Sequence, residues 1–323
     1  MLPPPPPQQK PLIVAGNGPS VKNLDYNLFP PDFEVFRCNQ FYFEDKYYLG
    51  KEIKGAFFNP NYFELQMHTM RLLYNQGEYD LCDLYCTTNN SHHYINGKSV
   101  SIRDFLDKNY TGVRTTHNLL ETLEPFYSLH AKSMNFKNQW FTSGVVMLIC
   151  AIALGYKEIY LAGIDFYTDG PGHFYPNRST FFKIHTDPAH SKNLDIEAIE
   201  LATEFATIYS LVPDTLLTQI VPLSPHKNAL SAEIKERLRL GQAKPDHHIS
   251  DIVLPPHYSE DRRKVALKEF FASREVYSDN LMLESLRFCR RVCCDVYKFG
   301  RACLALCKPK NFKLIFKRNK PTP

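Results

Sequence analysis

Nowhere in the 323 residues does an apolar run reach the roughly 18 residues needed to span a bilayer. The longest, Val145–Leu154, reads as a buried helix. The opening MLPPPPPQQK is a proline tract without the apolar stretch of a secretion signal, so a cytosolic chain is expected. An Asp-x-Asp pair is missing, and with it the usual carboxylate clamp for a divalent cation on a nucleotide. Nine cysteines are an odd number in a long chain without an export signal, which argues against a disulfide framework. Cys82 and Cys86, with His92 and His93 nearby, raise zinc as an idea. Cys82, Leu84 and Cys86 nevertheless alternate like the inward face of a strand, and no metal is expected. Uniform basic charge is lacking as well. Of the net +4, Ser285–Pro323 alone carries +10, from 11 Lys/Arg against Asp295, so everything before it sums to −6. A nucleic-acid binder, basic over a whole face, is disfavoured.

What is present has the rhythm of an α/β protein. Residues 1–10 form a proline-rich leader. Leu12–Ala15 is a short apolar run that stops at Gly16-Asn17-Gly18-Pro19-Ser20, a strand feeding a tight loop. Further strands are predicted at 34–38, 55–59, 81–86, 159–162 and 208–212. Helices are predicted at 60–75, 117–130, 143–154 and 192–206, the third with Ser143 as N-cap and Gly155 as C-cap. Such alternation predicts one Rossmann-like, mostly parallel sheet covered on both faces. The catalytic domain should run over 11–265. Within it, 167–190 is long, aromatic and aperiodic, which suits a lid. Residues 266–323 form a helical extension. Its apolar stripe is Met282, Leu286, Cys289, Cys293, Val296, Gly300, Cys303 and Cys307, and Arg287, Arg291, Lys298, Arg301 and Lys308 lie on another face. An anionic membrane surface is the partner that pattern suits.

Ligands of parallel sheets bind at the carboxyl ends of the strands, which directs attention to the loops after Ala15, Cys38 and Ala162. Gly16-Asn17-Gly18 is not a dinucleotide fingerprint, because Val21 occupies the third glycine position. Asn39, Gln40, Asn59 and Gln66 are neutral amides at or just past strand ends, suited to reading a sugar or a base. His190 stands at the mouth of a helix and could accept a hydroxyl proton. Tyr167 and Tyr175 flank the lid, where a phenol could donate to a departing phosphate. These residues by themselves reach a nucleotide or nucleotide-sugar enzyme with a lid, and go no further.

Five blocks occur in order: IVAGNGPS at 13–20, FRCNQFYFEDKYYLG at 36–50, FFNP at 57–60, AIALGYKEIYLAGIDFY at 151–167 and HSKN at 190–193. Over roughly residues 12–258 the chain resembles the bacterial sialyltransferases of glycosyltransferase family 42, the Campylobacter-type lipooligosaccharide enzymes. The resemblance implies a variant GT-A fold with a small lid, CMP-sialic acid as donor, a galactose-ended glycan as acceptor, inversion, no metal and a homotetramer. The basic tail, with the lack of a secretion signal, places the expected site of action in the bacterial cytoplasm, on the inner face of the inner membrane. By position, Asn17, Asn39, Asn59, Ser143 and Asp165 would hold the CMP portion, with Gly18, Thr142, Gly144, Gly163 and Phe166 beside them. His190 would be the base, and Tyr167 would donate to the leaving phosphate. A second lid phenol of the family falls on His173 here, with Tyr175 two residues on, and Tyr175 is preferred. Where the family carries an arginine facing the acceptor, this chain has Trp140. That favours galactose and an α-2,3 linkage over α-2,8 transfer to sialic acid. The rival readings are a CMP-sugar hydrolase or other nucleotide enzyme on the same fold, and a non-catalytic membrane-associated module.

Overall fold

The computed structural model describes residues 10–80, 83–88, 92–95, 98–166, 172–175, 190–255 and 281–306. Strand β1, Leu12–Ala15, is wholly buried and pairs in parallel with β2 (Glu34–Cys38) on one side and β8 (Glu158–Ala162) on the other. Beyond β2 the sheet continues through β3 (Gly55–Phe58), β4 (Asp83–Cys86) and β7 (Arg114–Thr115). Beyond β8 it closes with β9 (Thr207–Ser210). All seven strands are parallel, in the order β7-β4-β3-β2-β1-β8-β9. The chain therefore builds outward from β1 in one direction, then returns to build in the other. The β1–β8 boundary is the switch point where such sheets open a crevice. β5 (His92–Ile95) and β6 (Lys98–Ser101) form a separate two-stranded sheet.

Helix α5, Ser143–Ala153, is the centre of the core: from Gly144 onward every residue is buried. It packs on β1 and β2 and against its neighbours α3 (Thr116–Leu120) and α6 (Lys192–Ala202). Its C-terminus is closed by Gly155, at φ +93°. The Gly155 N–H donates to the Ile152 carbonyl and the Tyr156 N–H to the Ala151 carbonyl, the paired bonds of a Schellman stop. At the other end the sequence reading was one residue late. The N-cap is Thr142, and Ser143 is already helical.

The helix expected over 117–130 is two helices, α3 and then α4 (Glu124–Lys137). Pro125 is tolerated only in a first turn, so it begins a new helix. α1 spans Phe63–Asn75 and α2 spans Ile102–Asn109, while α7 is a short helix over Ala232–Arg237. Beneath the sheet lies a buried polar knot. Arg37 and Glu44 are both inaccessible, with Arg37 Nη2 3.0 Å from Glu44 Oε2, and Tyr79 donates to Glu44 Oε1 at 2.6 Å. Lys244 donates to the Tyr42 carbonyl at 3.0 Å and sits 3.5 Å from Glu78 Oε2.

The chain divides into two compact units, one reaching His257 and the other beginning at Tyr258 and taking in Asn96–Lys98. Taken alone, the second contains a helix of 26 residues, Leu281–Leu306, about 39 Å long at 1.5 Å per residue. Val296, Tyr297, Phe299 and Leu304 on it are exposed, as are Cys289, Cys293 and Cys294. Among the described residues no helix is long and apolar enough to cross a membrane.

Candidate active site

A cleft opens at the carboxyl ends of β1, β2 and β8 and at the N-terminus of α5. Its walls come from Gly16–Pro19, Cys38 and Asn39, Thr142–Gly144 and Gly163–Phe166, with Gly172, His173 and Asp195 completing them. Two loops must touch for this shape to exist. The Gly16 N–H donates to the Ala162 carbonyl and the Gly18 N–H to the Gly163 carbonyl, both at 2.9 Å. A Cβ on Gly16 would stand 2.4 Å from the Gly163 oxygen, and one on Gly18 2.3 Å from Asp165 Oδ2. Gly163 itself has φ +61°, and its Cβ would meet Val21 Cγ2 at 2.4 Å. These glycines permit backbone contact between loops.

Asp165 is clamped by Ser20, whose N–H donates to Oδ2 at 2.8 Å and whose hydroxyl donates to Oδ1. Asn17 is nearly buried. It donates from Nδ2 to the Cys38 carbonyl at 3.0 Å, while its Oδ1 is buried with no hydrogen-bond partner. Asn39, in the left-handed region at φ 49°, donates to Ser143 Oγ at 3.3 Å and accepts the Asn59 N–H at 3.2 Å. Phe166 also takes a positive φ, 52°, and is buried.

The sequence-predicted residues Asn17, Gly18, Asn39, Thr142, Ser143, Gly144, Gly163, Asp165 and Phe166 thus share one cleft. Asn59 adjoins it through Asn39. Tyr167 lies outside the described residues. Tyr175 does not reach the wall: it is buried, donates to Gln40 Oε1 at 3.3 Å and packs edge-on against Phe43. His173 does line the cleft. Its Nδ1 is buried without a hydrogen-bond partner, and burial pulls the imidazole down to about 4 against an opposing bond with the Gly172 backbone, so it is neutral at pH 7. The intervening Phe174 anchors this stretch, donating its N–H to the Asn17 carbonyl at 2.9 Å and laying its ring near the Arg37 guanidinium.

His190 lies at the entrance to α6. It pairs with Trp140 in a parallel bridge, and its Nδ1 is 3.3 Å from the Trp140 carbonyl. A carbonyl can only accept, so Nδ1 carries the hydrogen, which in the neutral ring leaves the lone pair on Nε2.

The alpha-2,3-sialyltransferase (CST-I) family model matches residues 10–299. The chain belongs to that family. Among solved structures it is similar to the monofunctional alpha-2,3-sialyltransferase Cst-I from Campylobacter jejuni, at 34% identity over 82% of this chain and 94% of that one, with a TM-score of 0.67. It is similar also to the sialyltransferase CstII from Campylobacter jejuni in complex with the substrate analogue CMP-3FNeuAc, at 34% identity over 76% and 95%, TM-score 0.65. A third, the sialyltransferase CST-II in complex with trisaccharide acceptor and CMP, gives 34% over 76% and 95%, TM-score 0.63. The resemblance carried by the five sequence blocks and the parallel α/β architecture are therefore both confirmed.

Asp195 was missed by sequence reasoning. A sialyltransferase cleft that takes a phosphate donor has an evident use for helix N-termini and amides, less so for a buried acid. The signal was there: Asp195 shares a helical stripe with Ala198, Ile199 and Ala202, all core residues, so it had to point inward. It is 1% exposed, and its Oδ1 accepts the Thr142 N–H at 3.1 Å. Burial pushes its carboxyl up to about 7, the Thr142 hydrogen bonds opposing. The unfolded chain ionises this group near 4, so between about pH 4 and 7 the folded state holds the extra proton and stability falls as pH rises. A shift of this size corresponds to at most ~4 kcal/mol, lost by pH 7 and above. Asp195→Asn should flatten that decline. Denaturant unfolding from pH 4 to 8 measures it, and an unchanged slope in the variant would contradict the assignment.

Proposed function

We propose that this sialyltransferase moves sialic acid from CMP-sialic acid to the 3-hydroxyl of a terminal galactose, with inversion and without a metal. The observation that carries it is the N-terminus of α5 opening on a cleft lined by Asn17 and Asn39. Backbone N–H groups and the positive end of that helix suit a phosphate, and the amides suit sugar and base. The solved relatives with CMP and with a trisaccharide acceptor support donor and acceptor alike. Among the described residues the carboxyls lining the cleft, Asp165 and Asp195, are engaged by hydrogen bonds from Ser20 and Thr142, which supports metal independence.

In this reading the bond from the anomeric carbon to the phosphate oxygen breaks, its electron pair going to the phosphate. The galactose oxygen forms the new bond from the opposite face and passes its proton to His190 Nε2. Charge grows on the leaving oxygens while the sugar becomes oxocarbenium-like, so donors aimed at the phosphate act mainly in the transition state. The positions of His173 and Tyr175 support His173, with Tyr167, for that task. Trp140, edge-on to His190 with ring centroids 6.2 Å apart, supports an uncharged galactose beside the base.

Incubation with CMP-sialic acid and lactose tests the whole reading: sialyllactose should form, and CMP released without it would make the chain a hydrolase. His190→Ala should lower turnover by roughly 10²–10⁴-fold with donor affinity kept, and a variant as fast as the wild type would remove His190 from the mechanism. His173→Phe should lose about 10-fold or more in kcat, the worth of one lost transition-state hydrogen bond, whereas Tyr175→Phe should be near neutral. The reverse order would return the phosphate role to Tyr175.

The C-terminal helix supports attachment to an anionic membrane surface, where a lipid-linked acceptor would lie. Val296, Tyr297, Phe299 and Leu304 are exposed beside Arg290, Arg291, Lys298 and Arg301. Each basic residue near anionic lipid contributes about 1 kcal/mol, less under screening. The protein should co-sediment with phosphatidylserine vesicles at low salt, release at high salt, and lose binding when residues 281–323 are deleted. No binding at low salt would leave the helix a structural role.

A further inference from the structure

We propose that Asp195 is a positioning residue for His190, holding the segment 140–142 that fixes the histidine in its base-competent form. The proposal rests on the reading of His190 as the base. Two segments distant in sequence, 140–142 and 190–195, run side by side here and are fastened twice. At one end His190 Nδ1 meets the Trp140 carbonyl at 3.3 Å, and at the other Asp195 Oδ1 receives the Thr142 N–H at 3.1 Å. Within α6 the Asp195 N–H returns to the Ser191 carbonyl at 3.1 Å, so the carboxyl belongs to the rigid turn that starts one residue after His190.

Although Asp195 borders the cleft, its Oδ1 is committed to the Thr142 N–H, a contact within the protein. Alignment of the two segments is what that bond does. With the residue 1% exposed, water has little access to replace the bond. Without it the Thr142 N–H is orphaned at the mouth of α5 and the Trp140 carbonyl loses its fixed position. The ring that depends on that carbonyl then loses its orientation.

The test is a double-mutant cycle on the full chain, with kcat and KM for both substrates and CMP affinity by calorimetry. Asp195→Ala should lower kcat by about 10²-fold, the effect of a displacement near 1 Å, with CMP affinity largely unchanged. Asp195→Asn, which still accepts the Thr142 N–H, should recover most of the loss. The double variant Asp195→Ala/His190→Ala should be no slower than His190→Ala, because the first residue acts only through the second. Independent, multiplicative losses would overturn the proposal, as would a loss that follows CMP affinity. Should Asp195→Ala not fold, Asp195→Gln, with the acceptor displaced by a methylene, takes its place in the cycle. If His190→Ala transfers like the wild type, the base reading and this proposal fall together. If His190→Ala is slow and the cycle is additive, this proposal alone falls.

Discussion

The cleft exists because two loops are pressed backbone to backbone. Gly16 and Gly18 at the end of β1 lie against Ala162 and Gly163 at the end of β8, at distances no side chain would allow. Ser20 and Asp165 then tie the same loops together by side chains. Central strand pairing alone would bring the strand ends level but leave the loops to splay. Closing them here turns two carboxyl-end loops into one wall, and that wall aims Asn17 across at the Cys38 carbonyl. The site is thus a consequence of glycine placement before it is a consequence of chemistry.

The opposite wall follows from a different constraint. α5 is apolar almost throughout and must be buried, so its position against β1 and β2 is set by packing. Its N-terminal N–H groups come to the cleft as a by-product of that packing. Among the described residues no cationic side chain lines this wall, which suits a reaction in which the charge to be met appears late, on a departing phosphate. The same cleft is lined by the amides of Asn17 and Asn39, the Ser143 hydroxyl, the imidazole of His173, kept uncharged by burial, and the hydrogen-bonded carboxyls of Asp165 and Asp195.

How much of this was legible beforehand differs by kind. The parallel sheet was plain, because the buried strands read as short unbroken apolar runs closed by polar loops. The nine residues that share the cleft were found because loops after strand ends are where such sheets bind. β7 was not, since two residues carry no period, and the break between α3 and α4 depended on weighing Pro125 as a start signal. Asp195 was hidden by habit: an acid in a first helical turn is ordinary, and only its place on the apolar stripe set it apart. His173 and Tyr175 could not be separated by register alone. Which of two neighbouring aromatic residues faces a cleft is decided by the packing of Phe174, a matter of contacts far apart in sequence.

The buried polar knot bears on how separable the chain's parts are. Residues 36–50 look like a self-contained module, and they carry Arg37 and Glu44 together. The Tyr79 hydroxyl that completes Glu44, however, comes from after α1, and Lys244 reaches the Tyr42 carbonyl from about two hundred residues away. Transplanted alone, the block would bring a charged pair into an interior without the groups that satisfy it, at a cost of several kcal/mol. Shuffling between relatives would therefore have to move Tyr79 and Lys244 along with the block, which makes this enzyme hard to recombine in pieces even where its sequence blocks align cleanly.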